Sequence, residues 1–308
     1  MENCKLQVVQ LSGGIGNQMF QYAFAKALSK QDNKQVKLDC VTWFEKDSKL
    51  FTKDSLFSKD GRGKRVFELN CFPNLSIDYA SSSESKFLLK RCHYPKIIRS
   101  ILGINKYRYL IKEKQDFIYD KDLFAVSDSA YFKGYFQNAK YFEDIRADII
   151  SDFRFPKLNE NDIKNRNLLD EIKTTKNSVF IHVRREDYVN LKMSIPIEYY
   201  KKAVECLKSK VSNPTFFIFC AEDPSYVHDN FTFLDNYELV GVENNTRSSY
   251  WINMLMMSNC NHAILANSSY SWWGAWLINN KDKIVIAPSP WLLGDSNIIC
   301  NDWFKVHY

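Results

Sequence analysis

The chain has no Cys-x-x-Cys pair. Its eight cysteines are scattered one by one between Cys4 and Cys300. That spacing argues against a structural zinc site or a disulfide framework and suits reduced thiols. No apolar run approaches the roughly 20 residues that a membrane-spanning helix needs. The first residues, Met1-Glu-Asn-Cys-Lys5, lack a basic segment leading into an apolar one, so no secretory signal is read and a cytoplasmic protein is expected. Glycine and proline are sparse, ten and eight in 308 residues, while 45% of the chain is hydrophobic. This excludes low-complexity classes and leaves a globular chain long enough for one large domain or two of ordinary size. Excess positive charge is also small: 42 Lys and Arg against 36 Asp and Glu give +6. Such a balance tolerates anionic substrates or a membrane surface but makes no case for nucleic acid, and no nucleic-acid partner is expected.

The stretch that organises the rest is Asn177 to Tyr188. A short apolar run, Val179 to Ile181, leads directly into His182, Arg184, Arg185 and Asp187. A buried strand ending in clustered charge reads as the carboxyl edge of a parallel sheet, where open α/β sheets bind ligands. Adjacent arginines suit an anion, because guanidinium groups grip phosphate oxygens in pairs and stay charged at neutral pH. The competing account is a surface turn whose arginines pair with Glu186 and Asp187.

Near the start, Lys5 to Leu11 reads as a strand, Ser12-Gly-Gly-Ile-Gly-Asn-Gln18 as a turn, and Met19 to Lys30 as a helix. Strand, glycine turn and helix together aim backbone N–H groups at an anion. The familiar nucleotide fingerprints are nevertheless missing. Met19 stands where G-x-G-x-x-G needs its third glycine, and no Gly-Lys-Ser/Thr follows. A turn whose glycines serve only close packing is the alternative. Asn17 either caps the helix or projects a side chain into a cleft.

Gln35 to Cys40 reads as a second strand and Trp43 to about Arg65 as a long loop. Residues 86–114 carry nine Lys and Arg against one Glu, interleaved with aromatic and aliphatic residues. That pattern fits a solvated helix face or, as the alternative, contact with an anionic membrane or a lipid-linked acceptor. Tyr131 to Gln137 is an aromatic strand or turn, followed by a helix through Tyr141, Phe142, Ile145 and Ile149. The polar segment Pro156 to Asn167 is the linker candidate. It divides the chain into domains 1–155 and 156–308, with the C-terminal tail a candidate to pack back on the first. In the second half, strands at Val179–Val183, Thr215–Cys220, Glu238–Val242, His262–Ala266 and Lys283–Ala287 alternate with helices at Ile197–Lys210, Arg247–Ser258 and Ser269–Asn279. The fold class is therefore α/β with parallel sheet. The turns Ala221-Glu-Asp-Pro224 and Asn267-Ser-Ser-Tyr270 are placed to join Arg184 and Arg185 on one edge, and a nucleotide-diphosphate site there is the better reading.

Three motifs in this order resemble a known family. Gly13-Gly-Ile-Gly-Asn-Gln-Met-Phe-Gln-Tyr-Ala-Phe-Ala25, His182-Val-Arg-Arg-Glu-Asp-Tyr188 and Ala266-Asn-Ser-Ser-Tyr-Ser-Trp-Trp-Gly-Ala275 are similar to the bacterial α-1,2-fucosyltransferases of glycosyltransferase family 11. Gly134-Tyr-Phe-Gln137 with Tyr141-Phe142 is also similar to a family segment. The resemblance implies a GT-B arrangement, two Rossmann-like domains facing each other across a cleft. It implies inverting transfer from GDP-β-L-fucose to a galactose-terminated glycan of a surface polysaccharide or oligosaccharide, with no cofactor and no metal. On the donor side it implies Arg184 and Arg185 at the pyrophosphate, His182 near the nucleotide, Asn253 at the guanine, Asn267, Ser268 and Ser269 at a helix N-terminus, and Gly14 and Gly16 across the cleft. Asn17, Gln18, Tyr135 and Gln137 fall on the acceptor side. Two positions depart from the family pattern: Glu186 replaces a usual glycine, and Asn253 a frequent aspartate.

The acceptor hydroxyl needs a proton acceptor within hydrogen-bond reach. Asp187 is the first candidate, its other reading being a brace for Arg185. His182 reads as embedded in its strand, and Cys220 has no evident His partner. A related transferase with another donor or linkage, or a non-catalytic nucleotide- or glycan-binding protein, remains open on these residues.

Overall fold

A computed structural model of the chain describes residues 5–31, 34–48, 65–92, 94–101, 107, 109–220, 223–240, 250–292 and 297–308. The described residues form two compact units, one running to Arg154 and the other beginning at Phe155.

Unit 1 is built on β1 (Lys5–Gln10), α1 (Ile15–Ser29), β2 (Lys34–Asp39), α2 (Thr42–Ser48), β3 (Asp78–Tyr79), α3 (Ser82–Leu88), α4 (Lys96–Ile101), β4 (Leu110–Lys112), β5 (Ala130–Lys133) and α5 (Arg146–Asp152). Its five strands are all parallel, in the order β3-β2-β1-β5-β4. Helix α1 forms because Phe20, Ala23, Phe24 and Leu28 recur at helical spacing, and all four are fully buried. Phe24 stacks on Phe136, ring centroids 4.1 Å apart, which ties the helix to the segment after β5.

Unit 2 contains α6 (Ile163–Thr174), β6 (Ser178–His182), α7 (Glu186–Asn190), α8 (Ile197–Lys208), β7 (Thr215–Phe219), α9 (Pro224–Asn230), β8 (Tyr237–Val240), α10 (Tyr250–Asn259), β9 (His262–Ile264), α11 (Ser269–Trp276), β10 (Val285–Ser289) and β11 (Phe304–His307). The sheet is again all parallel, in the order β11-β10-β9-β6-β7-β8. Strand β6 lies inside it and every residue of β6 is buried. This is why its sequence is a continuous apolar run and not an alternation: a parallel strand covered by helices has two apolar faces. Val179, Phe180 and Ile181 are fully buried, worth about 1.5–3 kcal/mol each. The expected α/β class, two Rossmann-like halves, is the observed one.

Several boundaries move. The helix expected through Tyr141 and Ile149 is broken: 3-10 turns cover Ala139–Tyr141 and Glu143–Ile145, and only α5 is α-helical. Tyr141 is tied by its hydroxyl to Asp120 N and Ile118 O, and Phe142 packs on Phe20, which fixes a non-helical junction. The linker candidate 156–167 contains the start of α6, capped by Asp162 through Asn165 N. Helix α10 begins at Tyr250, and residues 247–249 of the expected helix lie outside the described residues. The expected loop from Trp43 opens with α2, and its remainder, 49–64, is likewise outside them. Three strands were unanticipated: β3, two residues beside β2, β4, three residues within the basic stretch, and β11, which extends the second sheet next to β10.

Candidate active site

The carboxyl ends of β6 and β9 lie side by side, with Ile181 paired to Ile264. His182 ends β6. It is 5% exposed, its Nδ1 has no hydrogen-bond partner among the described residues, and its ring centroid lies 5.6 Å from that of Tyr270. Burial, reinforced by the Arg184 charge, pushes its pKa down to about 3, so the imidazole is neutral at physiological pH. Just beyond β9, Asn267 is 3% exposed. Its Nδ2 donates to Met193 O at 3.0 Å and its carbonyl accepts from the Tyr188 hydroxyl at 3.1 Å. Asn267 Oδ1 has no partner among the described residues, nor has Ser194 Oγ, one residue beyond Met193. Three buried polar atoms of this kind at one strand edge require an explanation, because each costs about 1–3 kcal/mol when left unmade.

The two arginines follow β6 and are held differently. Arg185 Nε donates to Asp223 Oδ2 at 3.1 Å, and its guanidinium carbon sits 3.9 Å from the Tyr226 ring centroid. Asp223 also caps α9, accepting from Tyr226 N and Ser225 Oγ. Burial raises the Asp223 pKa, but these hydrogen bonds and Arg185 outweigh it and hold the carboxyl below its usual range. Arg184 lies over Tyr188, 5.5 Å from the ring centroid. Among the described side chains the carboxylate partner of Arg185 is thus Asp223, in the turn after β7. The side chains of Glu186 and Asp187, and residues Ala221 and Glu222 entirely, lie outside the described residues. Helix α11 opens beside Asn267, with Ser268 as its N-cap accepting from Tyr270 N at 3.4 Å; Ser269 follows, half-buried, in the first turn. Asn253 is buried on α10, whose first residue is tied to α11 by a hydrogen bond from the Tyr270 hydroxyl to Tyr250 O.

In unit 1 the corresponding edge is the glycine turn. Gly13 has φ +73°, and a Cβ there would come 2.5 Å from Asn17 Nδ2, so only glycine fits. Gly14 is the N-cap of α1, which places Gly16 and Asn17 inside the helix; Asn17 is therefore not the cap. Gln18 is fully buried and wholly engaged: its Nε2 donates to Gly13 O and Val66 O, both at 2.9 Å, and its Oε1 accepts from Glu68 N. Gln137 Nε2 donates to Asn17 Oδ1 at 2.8 Å, joining two of the residues expected on the acceptor side. Tyr135, half-buried beside them, sits in a turn gripped by Glu113. The Glu113 carboxylate accepts from Tyr135 N at 2.7 Å and Phe136 N at 3.1 Å. A Cβ on Gly134 would meet Glu113 Oε2 at 2.6 Å, so the glycine admits that carboxylate. Burial raises the Glu113 pKa to about 7 against the pull of these two N–H groups, with Asp116 adding to the rise.

Sequence reading thus missed Asp223 and Tyr226 as holders of Arg185, and Glu113 and Gln21 as holders of the 134–137 turn. Gln21 bonds Ser12 and Gly134 O. The chain also contains one Asp-x-Asp triplet, Asp120-Lys121-Asp122. Asp120 caps a 3-10 turn through Asp122 N and pairs with Lys114 at 3.0 Å, so that carboxylate has a structural task. No group of three or more His, Cys, Asp or Glu is placed to hold a metal among the described residues. No helix among the described residues is long and apolar enough to cross a membrane.

The sequence profile of glycosyl transferase family 11 matches residues 6–303. An α-1,2-colitosyltransferase of Escherichia coli is 32% identical, covering 92% of this chain and 91% of that protein. The O-antigen biosynthesis glycosyltransferase WbnK of Escherichia coli is also 32% identical, covering 96% and 99%. Among solved structures, the fucosyltransferase NodZ from Bradyrhizobium matches at a TM-score of 0.46 and 15% identity, covering 88% of this chain and 91% of that one. That likeness is too loose to carry an argument about activity.

Proposed function

The chain belongs to glycosyl transferase family 11, and from that premise we propose that it transfers L-fucose from GDP-β-L-fucose to the 2-hydroxyl of a terminal galactose, inverting the anomeric centre. The acceptor is a surface polysaccharide or oligosaccharide. The observation that carries the donor site is the edge of unit 2, where His182 Nδ1, Asn267 Oδ1 and Ser194 Oγ lie buried without partners among the described residues, beside two arginines.

A β-linked donor giving an α-linked product implies one in-line displacement. Negative charge grows on the departing GDP as the sugar bond breaks. Arg184, Arg185 and the N–H groups at the start of α11, near Ser268 and Ser269, meet that charge with fixed donors, so the reaction needs no metal. Asp223 and Tyr226 keep Arg185 in place before the donor arrives. Neutral His182 offers one ring nitrogen to the donor, and Asn267 offers its amide oxygen. Asn253 is the guanine contact in this reading. Asn17, Tyr135 and Gln137 are the acceptor contacts in this reading; Gln18, fully buried and engaged with Gly13, Val66 and Glu68, holds their turn in shape, and Gly14 and Gly16 of that turn stay assigned to the donor.

Asp187 is the proposed base. Arg185 already has its carboxylate partner in Asp223, which supports freeing Asp187 for the proton of the incoming hydroxyl. Peripheral contact with a membrane through residues 86–114 belongs to the same reading and is supported by their charge.

A second reading keeps the linkage and changes the sugar. The 32% identity to an α-1,2-colitosyltransferase favours a colitosyl donor as the competitor. Parallel assays with GDP-fucose and a colitosyl donor on galactoside acceptors separate the two. Turnover of the colitosyl donor alone would replace fucose in the proposal.

A further inference from the structure

Helix α4 of unit 1 has no buried side among its described side chains. Lys96, Ile97, Ile98, Ser100 and Ile101 are all exposed. Ile97 is 74% exposed, Ile98 41% and Ile101 77%, while Tyr94, two residues ahead of the helix, is 54% exposed. Ile97, Ile98 and Ile101 fall at i, i+1 and i+4, which puts them on one face, with Tyr94 leading into it. A helix that turns three isoleucines to solvent leaves much of its apolar surface uncovered by its own unit, and a stripe of this kind marks an interaction surface.

The surrounding charge says what kind of partner it fits. Residues 86–112 contain eight Lys and Arg and no Asp or Glu. Of these, Lys86, Lys90, Arg91, Lys96 and Lys112 are exposed. Apolar side chains on one helical face, framed by basic ones, match the boundary between acyl chains and anionic headgroups. A protein partner would need an acidic groove holding an apolar cleft; a second copy of this surface would bring like charges together.

We propose that Tyr94, Ile97, Ile98 and Ile101 dock the protein on an anionic lipid bilayer, the isoleucines entering the headgroup boundary while Lys90, Arg91 and Lys96 meet the lipid charges. This deepens the peripheral-contact part of the proposed function and does not depend on which sugar is transferred.

The test is co-sedimentation of the full chain with mixed phosphatidylglycerol–phosphatidylcholine vesicles and with pure phosphatidylcholine vesicles. The protein binds the mixed vesicles at low salt, binds the neutral ones far less, and is released as salt rises. The double substitution Ile97→Ser/Ile101→Ser leaves the charge unchanged and weakens binding to the mixed vesicles by about tenfold or more. Its melting temperature and its transfer rate to a soluble galactoside stay at the parent values, since both side chains are exposed. Undiminished vesicle binding by the double variant, or failure of the parent to bind at low salt, would overturn the proposal. So would a dimer in solution that the double variant turns into a monomer. Vesicle binding without any sugar transfer would leave the docking surface standing and remove the catalytic reading.

Discussion

Around the glycine turn of unit 1, side-chain amides close on the protein's own backbone: Gln18 binds Gly13, Val66 and Glu68, and Gln21 binds Ser12 and Gly134. At the ends of β6 and β9 in unit 2 the polar groups are buried just as deeply, yet His182 Nδ1, Asn267 Oδ1 and Ser194 Oγ bind nothing among the described residues. Unit 1 has unmatched oxygens too, on Gln7 and Gln10 of β1 and on Ser85 of α3, so the contrast is between the Gln18–Gln21 turn itself and the β6–β9 edge, where three such atoms gather beside the arginines. A self-satisfied edge holds a shape, and removing one of its amides costs stability. An edge with unmatched polar atoms reserves its hydrogen bonds for a ligand, so substitution there weakens binding and leaves folding largely intact.

The sharpest way to break this contrast is Arg185→Ala. Loss of one charge-assisted contact of about 1.5–3 kcal/mol slows transfer by roughly 10- to 100-fold or more, with the far-ultraviolet circular dichroism unchanged. Near-parental activity would remove the donor role of the β6 edge. Gln18→Ala is the counterpart in unit 1. It strips partners from three backbone groups and should lower unfolding stability by about 3 kcal/mol or more, read by urea denaturation. A loss below about 1 kcal/mol would mean that water replaces the amide and the edge is not self-satisfied. His182→Phe exchanges an unmatched ring for an apolar one. It should leave stability level or raise it, while weakening GDP binding by about tenfold in calorimetry. A clear drop in stability with unchanged GDP affinity would reverse the assignment of that edge.

Glu113 gives the contrast a pH dependence. Its folded pKa, about 7, lies above the unfolded value of about 4.3, so the folded state favours the protonated form. The resulting stability is fully present below the unfolded value and is lost as pH rises through 7. Glu113→Gln should flatten the fall in stability between about pH 4.5 and 7, a difference on the order of 1–3 kcal/mol. Equal slopes for both proteins would remove the buried-carboxyl account. The smallest expected effect is that of EDTA, which should leave the transfer rate unchanged; a loss restored by Mn²⁺ would contradict the metal-free donor site.

Strand β6 and its arginines were legible in the sequence because burial on both faces leaves a continuous apolar run that stops where the charge begins. The alternation in unit 2 was legible for the same reason. What holds those arginines was not. The turn Ala221–Pro224 was placed on the arginines' edge, but Asp223 lies 38 residues beyond Arg185, and nothing local marks its carboxylate as the partner until β6 and β7 pair. Glu113 was hidden more deeply. It follows a three-residue strand inside a stretch whose dominant signal is basic charge, and its partners are backbone N–H groups, which leave no mark in a sequence. Asn17 could not be told from a cap because Gly14, two positions before Gly16, takes that place without a side chain.

The central claim is that the edge carrying His182, Arg184 and Arg185 serves transfer from a GDP-sugar. Its most direct test is incubation of the protein with GDP-fucose and a β-galactoside, followed by linkage assignment of the product by NMR. The account predicts fucose joined α to the 2-hydroxyl of galactose. Turnover of another nucleotide sugar with none of GDP-fucose, or GDP binding with no transfer at all, would contradict it.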